Sequence, residues 1–150
     1  MKSLNSSGEI NKEAHLANGI LVVDDEISIT RLLKLNLEQT GNYEVREENR
    51  GARALASALE FKPDLILLDV MMQDIDDGDV AASLRQNPDV RKTPLVFLAA
   101  KVDEDELAAS DGSIGGELYI AKPLNVKGVI GVIERTQASK QVPAGGPMTT

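Results

Sequence analysis

The chain has no cysteine and no tryptophan, and only two tyrosines, two phenylalanines and one histidine among its 150 residues. Without cysteine there is neither a disulfide framework nor a thiolate metal site, a composition that suits a reducing compartment. With so few rings, valine, isoleucine, leucine and alanine must fill the core. Positive charge is also short. The 16 lysines and arginines face 24 acids, for a formal net charge of −8. Such a chain repels nucleic-acid phosphates, which argues against direct DNA or RNA binding. Acid excess also serves plain solubility, so it names no partner by itself. No apolar run approaches the ~20 residues needed to span a bilayer. The opening MKSLNSSGEINKEAHLANG lacks the apolar stretch of a secretory signal. We therefore expect a soluble, cytoplasmic protein with no membrane partner.

What is present is patterned. Residues 1–18 are polar and aperiodic and read as a flexible leader. From Gly19 the chain alternates short apolar runs with helical stretches. GILVVDD reads as a buried strand, and EISITRLLKLNLEQTG as a helix with apolar Ile27, Leu32, Leu35 and Leu37 and a stop at Gly41. YEVREEN is a more exposed strand. ARALASALEF is a helix ended before Pro63. DLILLDV is a strand, MMQDIDDG a loop, DVAASLRQN a helix and TPLVFLAA a strand. VDEDELAAS is a short helix with acids in its first turn, DGSIGG a turn, ELYIA a strand and NVKGVIGVIERTQ the last helix. Continuous apolar strands separated by helices predict an α/β domain: a doubly wound parallel sheet with both faces covered. We place this domain at residues 19–140 and a disordered tail rich in Pro, Gly and Thr at 141–150, with no room for a second domain.

In an open parallel sheet, sites form at the carboxyl ends of the strands. The first strand ends in Asp24 and Asp25, followed by Glu26; the third ends in Asp69; the fourth in Ala99 and Ala100; the fifth in Lys122 and Pro123. Carboxylates gathered at one rim repel each other and need a positive partner. Hard oxygen ligands without His or Cys suit Mg2+, with Mn2+ as a substitute. A lysine adds a compact charge for a phosphate oxygen. Acid, divalent ion and lysine together are what phosphoryl transfer to a carboxylate requires. Any one of these residues alone is ordinarily a solvated surface group; the ordered conjunction carries the reading.

The segments ILVVDDE, DLILLDVMM, TPLVFLAA and YIAKP resemble the receiver domains of two-component response regulators, over about Gly19 to Thr136. The resemblance implies a flavodoxin-like five-stranded sheet in the order 2-1-3-4-5. It implies that Asp69 accepts the phosphoryl group, and that Asp24, Asp25, Asp69 and the backbone carbonyl of Met71 hold Mg2+. Lys122 would contact the phosphoryl group, joined by the backbone N–H of Ala100, and the Lys122–Pro123 peptide would be cis. The implied donor is a histidine kinase or phosphotransfer protein. The implied output is contact with a downstream protein target that the sequence does not name. The protein would be a single-domain regulator and not an enzyme.

The sequence also departs from that family. Ala99 stands where the family carries a Thr or Ser whose hydroxyl bonds the phosphoryl group, whereas its switch partner Tyr119 is present. One hydrogen bond to a charged group is worth roughly 1.5–3 kcal/mol, so coupling of phosphate to conformation should be damped. In the loop, Gln73 replaces a proline, and Asp74, Asp76 and Asp77 add charge that reads first as solvated turn. Met71 and Lys101 flank the phosphate mouth, where a bulky Met would hinder water and prolong the phosphorylated state. His15, in the leader, is assigned no role. An alternative is a pseudo-receiver whose output ignores phosphate, favoured by Ala99. An aspartyl phosphatase would need an acid where Met71 stands, and a flavin site would want a Ser/Thr/Gly phosphate loop where the chain is acidic.

Overall fold

The computed structural model describes residues 4–5, 8–9, 18–72, 77–100, 113–114 and 117–141. The long strands are β1 (Asn18–Val23), β2 (Tyr43–Glu48), β3 (Leu65–Asp69), β4 (Leu95–Ala99) and β5 (Glu117–Ala121). The helices are α1 (Ile27–Gln39), α2 (Ala54–Phe61), α3 (Asp77–Gln86) and α4 (Val126–Gln141). The long strands run parallel in the order β2-β1-β3-β4-β5, which is the predicted 2-1-3-4-5 sheet.

Side chains alternate across the strands and build two cores. On one face Ile20, Val22, Leu65, Leu67, Val96 and Leu98 pack with Leu33 and Leu37 of α1 and with Val129 and Ile133 of α4. On the other, Leu21, Val23, Ile66, Leu68 and Phe97 meet Ala54 and Ala58 of α2 and Val80 and Leu84 of α3. Burial on both faces is why β1 and β3 read as unbroken apolar runs.

Several boundaries differ from the sequence reading. In α1 the buried residues are Thr30, Leu33 and Leu37, whereas Ile27, Leu32 and Leu35 are exposed by 60%, 39% and 62%. Two residues along a helix is a turn of about 200°, so Leu35 points away from the face that Leu33 and Leu37 share. The Gly41 stop is as expected: its φ is +83° and its N–H donates to Glu38 O at 3.0 Å. Before Pro63, Lys62 takes the left-handed conformation (φ 54°) and donates its N–H to Ala58 O. The segment read as a turn contributes a two-residue strand, Ser113–Ile114, antiparallel to β5. Within the polar leader, Leu4–Asn5 pairs with Gly8–Glu9, and Asn18 already belongs to β1. Helix α4 extends to Gln141, the first residue of the expected tail. The expected helix at 102–110, the loop residues Gln73, Asp74 and Asp76, Lys101, His15 and the tail after 141 lie outside the described residues.

Candidate functional site at the carboxyl rim of the sheet

The adjacent strands β1 and β3 deliver their last residues to the same rim. Asp24 is fully buried and Asp69 is 2% exposed. Carboxylate oxygens of Asp24, Asp25 and Asp69 lie within 4.8 Å of one another. Lys122 follows β5 and is anchored by its own N–H, which donates to Ala99 O at 2.8 Å. Its Nζ lies 2.9 Å from Asp24 Oδ2 and 3.3 Å from both Asp69 Oδ1 and Glu26 Oε1. The Lys122–Pro123 peptide is cis, as expected. Met71 follows with its N–H 3.3 Å from Asp69 Oδ1 and its side chain 64% exposed. Sequence positions as distant as 24, 69 and 122 thus form one polar cluster.

Among the described residues, Asp24, Glu26 and Asp69 share the ammonium of Lys122, with the Asp25 carboxylate beside Asp24 and Asp69. Burial pushes the Asp24 carboxyl above its ordinary range; the Glu26 N–H and Lys122 pull it back, and the charge of Asp69 adds to the rise. Burial alone would lower the Lys122 ammonium, but the close contact with Asp24 and the charges of Asp24 and Asp69 outweigh that and raise it. Lys122 therefore stays charged at neutral pH.

Asp24 also supplies a test of whether a cation fits. Its Oδ1 accepts the N–H of Glu26 at 2.9 Å. Its Oδ2 is buried and accepts no hydrogen bond; the Lys122 ammonium is close enough for an ion pair but lies outside hydrogen-bond geometry. With the Lys122 ammonium as its described partner, that oxygen keeps a lone pair for a further cation. Together with the neighbouring oxygens of Asp25 and Asp69 it forms a hard donor set suited to Mg2+. Asp24, Asp25 and Asp69 are the side chains that would hold such an ion.

At the end of β4, Ala99 is buried and pairs in register with Ala121. It offers a methyl where a switch hydroxyl would stand, and the adjacent Ala100 is exposed. Tyr119 is half-buried and stacks on Phe97, with ring centroids 5.2 Å apart. Arg85 of α3 covers the same Phe97 ring at 5.8 Å. Tyr119 thus lies against the α2–α3 core.

Sequence reasoning missed part of the site. Glu26 was visible only as a third acid in the loop, yet it meets Lys122. Asn49, just after β2, donates from Nδ2 to Asp24 O at 2.8 Å and to Thr30 Oγ1 at 2.9 Å. Nothing in the local pattern marks Asn49, because its partners are 25 and 19 residues away.

A parallel sheet carrying three clustered aspartates and a lysine at its carboxyl rim is the arrangement that the resemblance to receiver domains implies. Comparison with known proteins agrees. Residues 20–134 match the family model described as the response regulator receiver domain, and the chain belongs to that family. It is 36% identical over 128 residues to the transcriptional regulatory protein SrrA of Staphylococcus aureus, covering 83% of this chain and 51% of SrrA. The chain thus spans about half the length of the curated relatives it matches. Among solved structures, it is similar to a putative response regulator from Chloroflexus aurantiacus, with 29% identity and TM-score 0.68 over 81% of this chain and 98% of that one. Chemotaxis protein CheY4 of Vibrio cholerae aligns with 26% identity and TM-score 0.67 over 79% of this chain and 98% of its own.

Proposed function

We propose that the protein is a phosphorylation-controlled signalling switch in which Asp69 takes a phosphoryl group from the phosphohistidine of a histidine kinase or phosphotransfer protein. An Asp69 carboxylate oxygen forms the new bond to phosphorus while the phosphorus–nitrogen bond of the donor breaks, and the imidazole leaves. The observation that carries this reading is the buried Asp69 carboxylate 3.3 Å from the Lys122 ammonium, with the carboxylates of Asp24 and Asp25 beside it. A bound Mg2+ would supply positive charge to the phosphoryl oxygens. Lys122 pairs with the transferred group as its negative charge arrives. The bulky Met71, two residues after the acceptor and exposed, would hinder attacking water, which favours a long-lived phosphorylated state.

In this reading the domain is modified by its partner and is not itself an enzyme. Output passes through contacts of the receiver surface with a downstream protein and not through nucleic acid, in keeping with the acidic balance of the chain. Among the described residues no helix is long and apolar enough to cross a membrane, and with the lack of cysteine this supports a cytoplasmic location.

Intact mass after incubation with acetyl phosphate and Mg2+ tests the proposal. The expected result is a gain of one phosphoryl group, absent in Asp69→Asn. Ala99 favours a second reading, a pseudo-receiver that binds its partner regardless of phosphate. An unmodified wild-type mass would select that alternative.

A further inference from the structure

Every polar atom of Asp24 has an identifiable partner, and for Oδ2 that partner is the Lys122 ammonium at 2.9 Å. Its N–H donates to Glu48 O at 3.1 Å, and Oδ1 accepts the Glu26 N–H. Its carbonyl accepts from Asn49 Nδ2 at 2.8 Å. The orientation of the Asn49 amide follows from chemistry, since a carbonyl can only accept. The second Nδ2 hydrogen goes to Oγ1 of Thr30, a fully buried residue in the first turn of α1. Thr30 in turn donates to Glu47 Oε1 at 2.8 Å, and Arg31 Nε closes the chain on Glu47 Oε2 at 3.2 Å. The end of β2, the acidic loop and the start of α1 are thereby tied at one buried point.

We propose that Asn49 and Thr30 are positioning residues for the divalent-ion site: they fix the backbone of Asp24 so that its carboxylate faces Asp25, Asp69 and Lys122 at the rim. The argument rests on the receiver reading above and extends it to residues that touch neither ion nor phosphoryl group. Without the bracket the Asp24 carbonyl loses its only described side-chain donor, and the loop carrying Asp24 and Asp25 gains freedom that ion binding must then remove. Loss of such outer support of a metal ligand typically weakens affinity about 10–100-fold.

The test is calorimetric titration of the full chain with Mn2+, beside urea melts of each variant. Asn49→Ala and Thr30→Val should weaken Mn2+ affinity at least tenfold. Thr30→Ser, which keeps the hydroxyl, should stay within threefold of wild type. The amide resonance of Glu26, bonded to Asp24 Oδ1, should move in the first two variants and not in the third. If Asn49→Ala does not fold, Asn49→Ser and the Thr30 pair decide. Affinities within twofold of wild type in variants that merely melt earlier would overturn the bracket and leave the receiver reading standing. A wild-type protein that takes up no Mn2+ would overturn both.

Discussion

Tyr119 lies stacked on Phe97 rather than free at the rim, and the 5.2 Å separation of the rings joins β5 to β4 on the α2–α3 face. In the proposed receiver role, Ala99 gives a phosphoryl group on Asp69 no hydroxyl at the end of β4. Beryllofluoride should therefore perturb the NMR signals around Tyr119 only weakly in the wild type. Ala99→Thr should enlarge those changes. Because Ala99 is buried, the added atoms should also destabilise the fold by about 1–3 kcal/mol. Equal shift changes in both proteins would reject the damped switch.

The crowding of carboxylates sets the response to divalent ions. Asp24 has a raised pKa, so its folded form holds protons more tightly than its unfolded form, and stability falls as pH rises through that folded value. At neutral pH without divalent ions, Asp24→Asn should melt at a higher temperature than wild type, since Lys122 keeps Asp69 and Glu26 as partners. Mg2+ at a hundredfold over its Kd should stabilise the wild type by about 2.7 kcal/mol, roughly 5–10 °C in Tm. That gain should vanish in Asp24→Asn. Thermal melts with Mg2+ and with EDTA check both outcomes.

On α1, two leucines separated by two positions should behave oppositely. Leu33→Ala removes a fully buried side chain and should cost about 2–5 kcal/mol. Leu35→Ala, at an exposed position, should stay within about 0.5 kcal/mol. Urea denaturation of the two variants would expose any misassignment of the helix face.

Acid should weaken the α1–β2 junction through Glu38. Burial alone would raise its pKa, but the Val45 N–H and Lys34 outweigh burial and lower it below 4.5. With the folded value below the unfolded one, the contribution of Glu38 is complete above 4.5 and disappears as pH falls through the folded value. Glu38→Gln should thus flatten the acid limb of a stability-against-pH profile, with the two proteins converging at low pH. Parallel profiles throughout would contradict the role assigned to this carboxylate.

The sheet and the acceptor cluster were legible because both have strong local signals. ILVV and LILL are too uniformly apolar to be half-exposed, and Asp24, Asp25, Asp69 and Lys122 each directly follow or end such a run. The orientation of α1 was not legible, since Leu32, Leu33, Leu35 and Leu37 supply apolar side chains on more than one side, and only packing against the sheet selects Leu33 and Leu37. Asn49 escaped for a different reason. A polar residue after a strand is ordinary, and its meaning arises from a carbonyl and a hydroxyl brought to it by tertiary folding.

Strand β2 is the outermost member of the sheet on its side, and its sequence YEVREE is half-buried or exposed from Arg46 onward. A free strand margin invites accretion of further chains, and charged side chains along it discourage that. Arg46 and Glu60 pair across this margin at 2.6 Å, and Arg53 approaches Glu48 at 3.6 Å. The same polar segment that tethers the acidic loop through Asn49 thereby guards the molecule against edge-to-edge aggregation.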